Sequence, residues 1–295
     1  MKRLLLASLT AILFCQFSFA QQPTSKSFRV GDIFRGHIKS VRSERAQVRV
    51  EGGVEIESSR ILFQVTNYSE NGLSRESISY RGPAIQRRTV EAYLPSGERD
   101  STSIYGSDGS LISKTGYEYD SQGQLTAEVQ YLGDGSVKER RTIQSTDSPQ
   151  RQVAVTKTSG NGATIETSIN TSEHVASTFP NSPAKKSVWT TTKPDGSRTE
   201  NIFEVDSAGA HNDQQVSYGA DGTLTGKRVS IVDAGVNRLE ATEYDGAGNI
   251  KTRSLETREY DSHRNLIKVT NYMWNSTQQT FVPVAVSYNT IEYFK

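Results

Sequence analysis

Downstream of Gly123, apolar and polar positions alternate: Leu125, Ala127, Val129 and Tyr131 are interleaved with Thr126, Glu128 and Gln130. A period of two places one set on each face of a β-strand. Leu111, Tyr117 and Tyr119 share a parity in the segment before it. Other runs lose the pattern. Val137-Lys138-Glu139-Arg140-Arg141-Thr142-Ile143 is charged on both parities, which predicts strands wetted on both faces. Toward the amino terminus, residues 28 to 68 carry longer alternating runs such as Gln47-Val48-Arg49-Val50, with Gly52-Gly53 as the expected turn.

Turn residues punctuate these runs at a fixed interval. Gly97, Gly109, Gly123 and Gly135 are separated by 12, 14 and 12 positions, and Gly196, Gly209, Gly222, Gly235 and Gly248 by 13 at every step. Asp108-Gly109-Ser110, Asp134-Gly135-Ser136, Asp195-Gly196-Ser197 and Asp221-Gly222-Thr223 form one turn type. Tyr119-Asp120-Ser121-Gln122-Gly123, Val205-Asp206-Ser207-Ala208-Gly209 and Tyr244-Asp245-Gly246-Ala247-Gly248 form a second. Asp-Gly in the first type predicts tight hairpin turns, because glycine accepts positive φ. In the second, the aspartate side chain is placed to bond amides two residues on. The segments between are about eight residues long, which is strand length and too short for helices with linkers.

The expected fold is therefore all-β: an antiparallel meander of tandem hairpins forming a curved single sheet, a partial barrel or a spiral. Residues 21–90 form an amino-terminal hairpin and cap region, 91–264 the repeat array, and 265–295 a capping hairpin containing Tyr272, Met273, Trp274, Phe281, Tyr293 and Phe294. Between Asp147 and Pro183 the glycine pattern weakens. Asp147-Ser148-Pro149, Asn161-Gly162, Asn170-Thr171-Ser172 and Pro180-Asn181-Ser182-Pro183 keep breaker chemistry at similar spacing. The stretch reads as continuous sheet with a degenerate middle, in preference to a linker between two blocks.

Composition adds the compartment. Lys2 and Arg3 precede an apolar run from Leu4 to Phe14, and Ser18-Phe19-Ala20 supplies a small-residue cleavage site, so residues 1–20 read as a signal peptide. The run is too short for the ~20 residues of a membrane span. Cys15 is the only cysteine and lies in the leader; the large Phe14 before it argues against lipidation. A chain cleaved after Ala20 has no cysteine and no disulfide. Its charge balance goes from 34 − 33 = +1 to 32 − 33 = −1, which gives no long-range attraction for nucleic acid or an anionic membrane. An apolar fraction of 34% leaves too little hydrocarbon to bury both faces of a large sheet.

Tyr119-Asp120-x-x-Gly123-x-Leu125, Tyr244-Asp245-x-x-Gly248-Asn249-Ile250 and Tyr260-Asp261-x-x-Arg264-Asn265-Leu266 resemble the YD repeat of the Rhs and teneurin families. The tail, from Glu259-Tyr260-Asp261-Ser262-His263 to Val286-Ser287-Tyr288-Asn289-Thr290-Ile291, is similar to the ends of secreted YD-like bacterial proteins. The resemblance spans residues 60–295 and implies a short secreted member built as a β-hairpin array. In large members the strands coil into a hollow shell around a toxin, or form an adhesive body. Val205 and Val232 replace tyrosine here, and Arg264 replaces the turn glycine. Some twenty short strands are too few to wind such a container, and the sequence predicts no toxin segment after the array.

No reactive constellation is legible. His37, His174, His211 and His263 are dispersed, without a second ligand at metal spacing. No metalloprotease helix, nucleophile elbow or phosphate-cradling loop is present. Asp120, Asp245 and Asp261 recur in turns, which accounts for them without glycosidase chemistry or calcium. Arg87-Arg88 and Lys138 to Arg141 are expected on solvated strand edges. The prediction is thus no catalytic, cofactor-binding or metal residue, no cofactor, and no enzyme. The sequence reads as an exported structural or interaction module whose partner is a protein or polysaccharide of the envelope. An outer-membrane β-barrel is the alternative, and an enzyme acting on envelope polymers a more distant one.

Overall fold

The computed structural model describes residues 36–146, 151–176, 185–206 and 209–295. Residues 1–20, read above as a signal peptide, lie outside them, as do Asp147-Ser148-Pro149 and Pro180 to Pro183. Among the described residues there are nineteen strands and no helix. They begin with β1 (Ile38–Glu51), β2 (Val54–Glu57), β3 (Ile61–Tyr68), β4 (Ser74–Arg81) and β5 (Ala84–Tyr93). Next come β6 (Arg99–Tyr105), β7 (Leu111–Tyr119), β8 (Leu125–Leu132), β9 (Val137–Thr146) and β10 (Arg151–Ser159). Then follow β11 (Thr164–Ala176), β12 (Lys185–Thr192), β13 (Arg198–Val205), β14 (His211–Tyr218) and β15 (Leu224–Val232). The last are β16 (Arg238–Asp245), β17 (Ile250–Tyr260), β18 (Leu266–Asn275) and β19 (Thr280–Tyr293).

From β3 to β19 each strand bonds antiparallel to the next, so the expected meander is present. The ladder also runs unbroken from β9 through β13. Asn170-Thr171-Ser172, expected as a breaker, instead lies inside β11, with neighbours on both sides. A polar run does not stop a strand that is paired along both edges.

β1 completes the arrangement. It bonds β3 through Ser40↔Asn67 to Arg45↔Ile61, and β19 through Ile38↔Tyr293 to Gln47↔Ala285. The succession of ladders therefore returns to its start. Of the nineteen strands only β2 stands outside it, paired with the far end of β1 alone, so eighteen form the loop. Closure leaves a free edge only on the short β2 among the described strands and removes the long free edges that make open sheets prone to aggregation.

Directly opposed residues share a face, and following the registers around the loop brings Gln64 and Thr66 back to the face on which they started. One face carries Val41, Thr66, Glu91, Tyr117, Ala241 and Ala285. The other carries Ala46, Ala127, Val129, Leu255 and Val286. Buried apolar side chains occur on both, with Ala127 at 1% and Val129 at 4% exposure, so no single core organises the sheet. What stabilises it is the ladder itself and cross-strand pairs.

Ion pairs form a large part of those pairs. Glu118 and Arg140 meet on one face, and Glu128 and Arg141 on the other at 3.1 Å. Arg88 pairs with Glu76 across β4 and β5. The basic runs expected on solvated edges are thus in interior strands, where Arg88 and Arg141 pair with carboxylates on the adjacent strand and Arg140 reaches Glu118 across β8. Exposed pairs of this kind contribute about 0–1 kcal/mol each.

Candidate functional site

The two expected turn types have one backbone. In Gly106–Ser110 the first amide donates to the fifth carbonyl at 2.9 Å and the Gly109 amide to the first carbonyl at 3.1 Å. Asp120–Gln124 repeats this at 2.9 and 3.0 Å. Gly109 and Gly123 sit at φ 80° and 75°, and the flanking ladders shift register. This is a five-residue turn closed by a bulge at the left-handed glycine, the form that the expected tight Asp-Gly hairpin turns take.

The types differ in where the aspartate sits. At the third position, Asp108 accepts the Ser110 amide at 2.9 Å and its hydroxyl at 2.6 Å. Asp134, Asp195 and Asp221 do the same. At the first position, Asp120 accepts the amides of Gln122 and Gln124, both at 2.8 Å. Asp261 does likewise with His263 and Asn265. Successive turns of a meander fall at opposite rims, so the third-position aspartates all lie at the rim holding the β6–β7 turn. Asp120, Asp206 and Asp261 lie at the other, while Asp245 is a first-position aspartate at the β6–β7 rim. All these carboxylates are occupied by their own turns.

Gly235 departs from the series. Its turn, Asp233 to Arg238, is one residue longer, and Val236 takes the positive φ of 58° instead. Arg264, read as a glycine replacement, does hold the left-handed position, at φ 65°.

Tyrosines before the turns tie neighbouring hairpins together. The Tyr119 hydroxyl donates to the Arg99 carbonyl at 2.7 Å, and that of Tyr260 to the Val236 carbonyl at 3.1 Å. Each reaches the preceding turn at its own rim. A Tyr-Asp pair therefore does two jobs, the aspartate closing one turn and the tyrosine fastening it to the previous one.

The densest polar group lies beside this rim, on the face of Thr66 and Tyr117, and spans β3 to β7. Glu91 is 8% exposed and carries Arg75, with Arg99 at 3.6 Å and the Tyr93 hydroxyl at 2.9 Å. Arg99 also donates to the Tyr117 hydroxyl at 3.4 Å, which shares a hydrogen bond with Thr102 at 3.3 Å. Burial, reinforced by the Glu91 charge, pushes the Tyr93 phenol up to about 12, and burial does the same for Tyr119. Burial works against the Arg99 charge, but the Tyr117 hydroxyl and Glu91 outweigh it and raise its affinity for the proton. Three buried atoms here have no hydrogen-bond partner: Arg75 Nε, Arg99 Nε and Glu98 Oε2. Directly below runs a cross-strand row of hydroxyls, Thr66, Ser77 and Thr89, the first two 3.1 Å apart.

Sequence reasoning missed this cluster, because its members come from separate strands with no shared spacing. Only the parity of Tyr117 and Tyr119 pointed to it. The histidines stay apart. His37 donates to the Glu70 carbonyl at 3.0 Å, His211 meets Phe203 at a tilt with ring centres 5.1 Å apart, and His263 meets Tyr293 likewise at 5.4 Å. His174 falls in β11, and its side chain is outside the described residues. The carboxy-terminal aromatics meet in part: Trp274 and Phe281 lie 5.1 Å apart under the Arg253 guanidinium. No described group of three histidine, cysteine, aspartate or glutamate side chains is arranged to hold a metal ion.

No family model and no curated protein matches the chain. Among solved structures it is similar to a porin-like protein from Bacteroides uniformis, at 12% identity and a TM-score of 0.37, covering 86% of this chain and 96% of that one. A transferrin binding protein B mutant from Haemophilus parasuis overlaps 88% of this chain and 77% of its own, at 8% identity and a TM-score of 0.20. The TcdB2-TccC3 structure overlaps 77% of this chain but 20% of its own, at 8% identity and 0.15. These overlaps are too loose to carry weight for fold or function.

Proposed function

We propose that the chain is an exported, non-catalytic interaction module of the cell envelope or extracellular space, and a short secreted relative of the YD-repeat proteins. One observation carries the interaction reading: arginine and tyrosine gather around Glu91 on a broad, wet sheet face, and these are the residue types that dominate recognition surfaces. The charged leader followed by the Leu4–Phe14 run and Ser18-Phe19-Ala20 supports export. The tyrosine fastenings at Tyr119 and Tyr260, with their turn aspartates, support the YD relationship. Turn carboxylates bonded to their own amides support a non-catalytic role.

The outer-membrane barrel shares the returning ladder, and among the described residues no helix is long and apolar enough to span a membrane. A lipid-facing side requires a continuous apolar band. Glu118–Arg140 and Arg253–Glu240 stand on one face, and Arg75–Glu91 and Arg258–Glu256 on the other. Neither face offers that band. The test uses the chain without residues 1–20 as bait in envelope extract, with a carbonate wash of the native membranes alongside. Reproducible capture of a partner and release by carbonate are expected; an empty bait, or retention in the washed pellet, overturns the proposal.

A further inference from the structure

The free edge of β2 has a definite chemistry. The Ser58 amide donates to the Gln47 carbonyl at 2.9 Å, and the β1–β2 pairs run from Val48↔Glu57 to Glu51↔Val54. Backbone groups alternate in direction along an antiparallel strand. The amides of Val54 and Ile56 therefore point to β1 with that of Ser58, while the amides and carbonyls of Glu55 and Glu57 point outward. No other described strand pairs with β2 to take them. Donors and acceptors in a row at strand spacing are matched by another extended backbone.

Side chains select the occupant. Glu55 and Glu57 stand on one face of β2, Val54 and Ile56 on the other. Glu55 is exposed and has no ion-pair partner among the described residues. Glu57 is held by the Tyr288 hydroxyl, a neutral donor, at 2.7 and 2.9 Å, and Arg60 lies over the Tyr288 ring. Aliphatic surface borders the same edge: Val54 is 62% exposed, Val50 across the hairpin 43%, and Ile61 beyond the end of β2 57%. A strand that fits sets basic side chains opposite Glu55 and Glu57 and aliphatic ones opposite Val54 and Ile56. A second copy of β2, added antiparallel through its own outward groups, would set glutamate opposite glutamate, which is unfavourable. Its shortness and its two glutamates guard this edge against indiscriminate pairing, and the same glutamates decide which strand is accepted.

We propose that the outer edge of β2 takes up an extended segment of a partner protein in which basic and aliphatic side chains alternate, adding it to the sheet as one more strand. This surface is separate from the face around Glu91, which belongs to β5 and its neighbours.

The probe is a peptide alternating lysine and valine, as long as a typical strand, titrated by fluorescence anisotropy against the chain without residues 1–20. A glutamate–valine peptide of the same length is the comparison. Saturable binding that favours the lysine–valine peptide is expected, with slowed hydrogen exchange at the Glu55 and Glu57 amides. Glu55→Pro deletes one outward amide and no bond to β1, a setting in which an edge strand tolerates proline. It should lower the affinity at least tenfold in a protein that melts as before. Glu55→Lys should reverse the preference between the two peptides, and Val54→Ser should weaken binding severalfold. Ile112→Ser, which removes a similarly exposed aliphatic from another hairpin, should leave binding unchanged. Absence of saturable binding, equal binding of the two peptides, or binding indifferent to Glu55→Pro overturns the proposal. So does a dimer of the chain that Glu55→Pro dissociates, because the occupant would then be a second copy. None of these outcomes touches the Glu91 face, whose reading stands or falls on capture from envelope extract.

Discussion

The fully buried Asn265 donates from Nδ2 to the Tyr293 hydroxyl at 2.8 Å, and that hydroxyl in turn donates to Asp261 Oδ2 at 3.1 Å. Tyr293 is the last residue of β19, so this chain of bonds fastens the end of the array to its final Asp261 turn. Among the described residues Asn265 is the largest side chain that is wholly enclosed. Removing either side chain deletes one link of this chain of bonds while Asp261 keeps the other, and a hydrogen bond of this kind contributes about 0.5–1.5 kcal/mol. Tyr293→Phe and Asn265→Ala should each lower urea-unfolding stability by that amount, and the double variant by less than the sum, since both delete the same link.

Of the three described non-glycine residues at positive φ, Val236, Arg264 and Gln279, the first two stand in turns of the repeat where glycine is the usual occupant. Val236 at φ 58° is the more strained, because a branched Cβ crowds the following carbonyl. Arg264 at φ 65° has an unbranched Cβ. Val236→Gly should stabilise the protein by about 1 kcal/mol and Arg264→Gly by somewhat less, after the entropy of the added glycine is subtracted. Equilibrium denaturation of the two variants gives the ranking directly. Equal or reversed effects would mean that neighbouring turns, not the local backbone, decide the cost.

Acid should act mainly on the turns of one rim. The Ser110 hydroxyl and amide hold the Asp108 carboxyl below its usual range, and Asp134, Asp195 and Asp221 are held down in the same way. A carboxylate depressed in the folded state contributes stability that is full above the unfolded pKa of about 3.9 and is lost as pH falls through the folded value. The melting temperature should therefore be flat near neutrality and drop below about pH 4. Replacing the four aspartates with asparagine keeps an acceptor in each turn but removes the titration, and should flatten the drop. An unchanged profile in that variant would assign acid sensitivity to other carboxylates.

The repeat was legible because a strand of about eight residues and a five-residue turn add to the 13-residue glycine interval. Each element is local, so Asp120, Asp261 and the glycines announce it. Three features were not local. The shared backbone of the two turn types is hidden by the shift of aspartate from the third position to the first. The Glu91 cluster is assembled from five strands, and charged residues such as Arg99 read as surface in one dimension. Closure depends on β1 meeting β19 from the far end of the chain, as in the 246 positions separating Ser43 from Asn289. Alternation along either strand looks the same whether its outer edge is free or paired.

Ser43 and Asn289 supply the means to test that closure. They are directly opposed across β1 and β19, and the Ser43 hydroxyl donates to Asn289 Oδ1 at 2.7 Å. Opposed residues of an antiparallel ladder have Cα atoms about 4.5–5.5 Å apart, inside the window that a disulfide accepts. With residues 1–20 removed the chain has no cysteine of its own, so Ser43→Cys with Asn289→Cys introduces a single defined pair. Mild oxidation should give an intramolecular crosslink, seen as faster migration on non-reducing gels. Closing a loop of this length should stabilise the folded state by about 5 kcal/mol on chain-entropy grounds. The pair Ser43→Cys with Thr290→Cys, whose side chains lie on opposite faces, is the control and should remain reduced. If the sheet were open between β1 and β19, both pairs would behave like the control, because nothing else holds these two strands together.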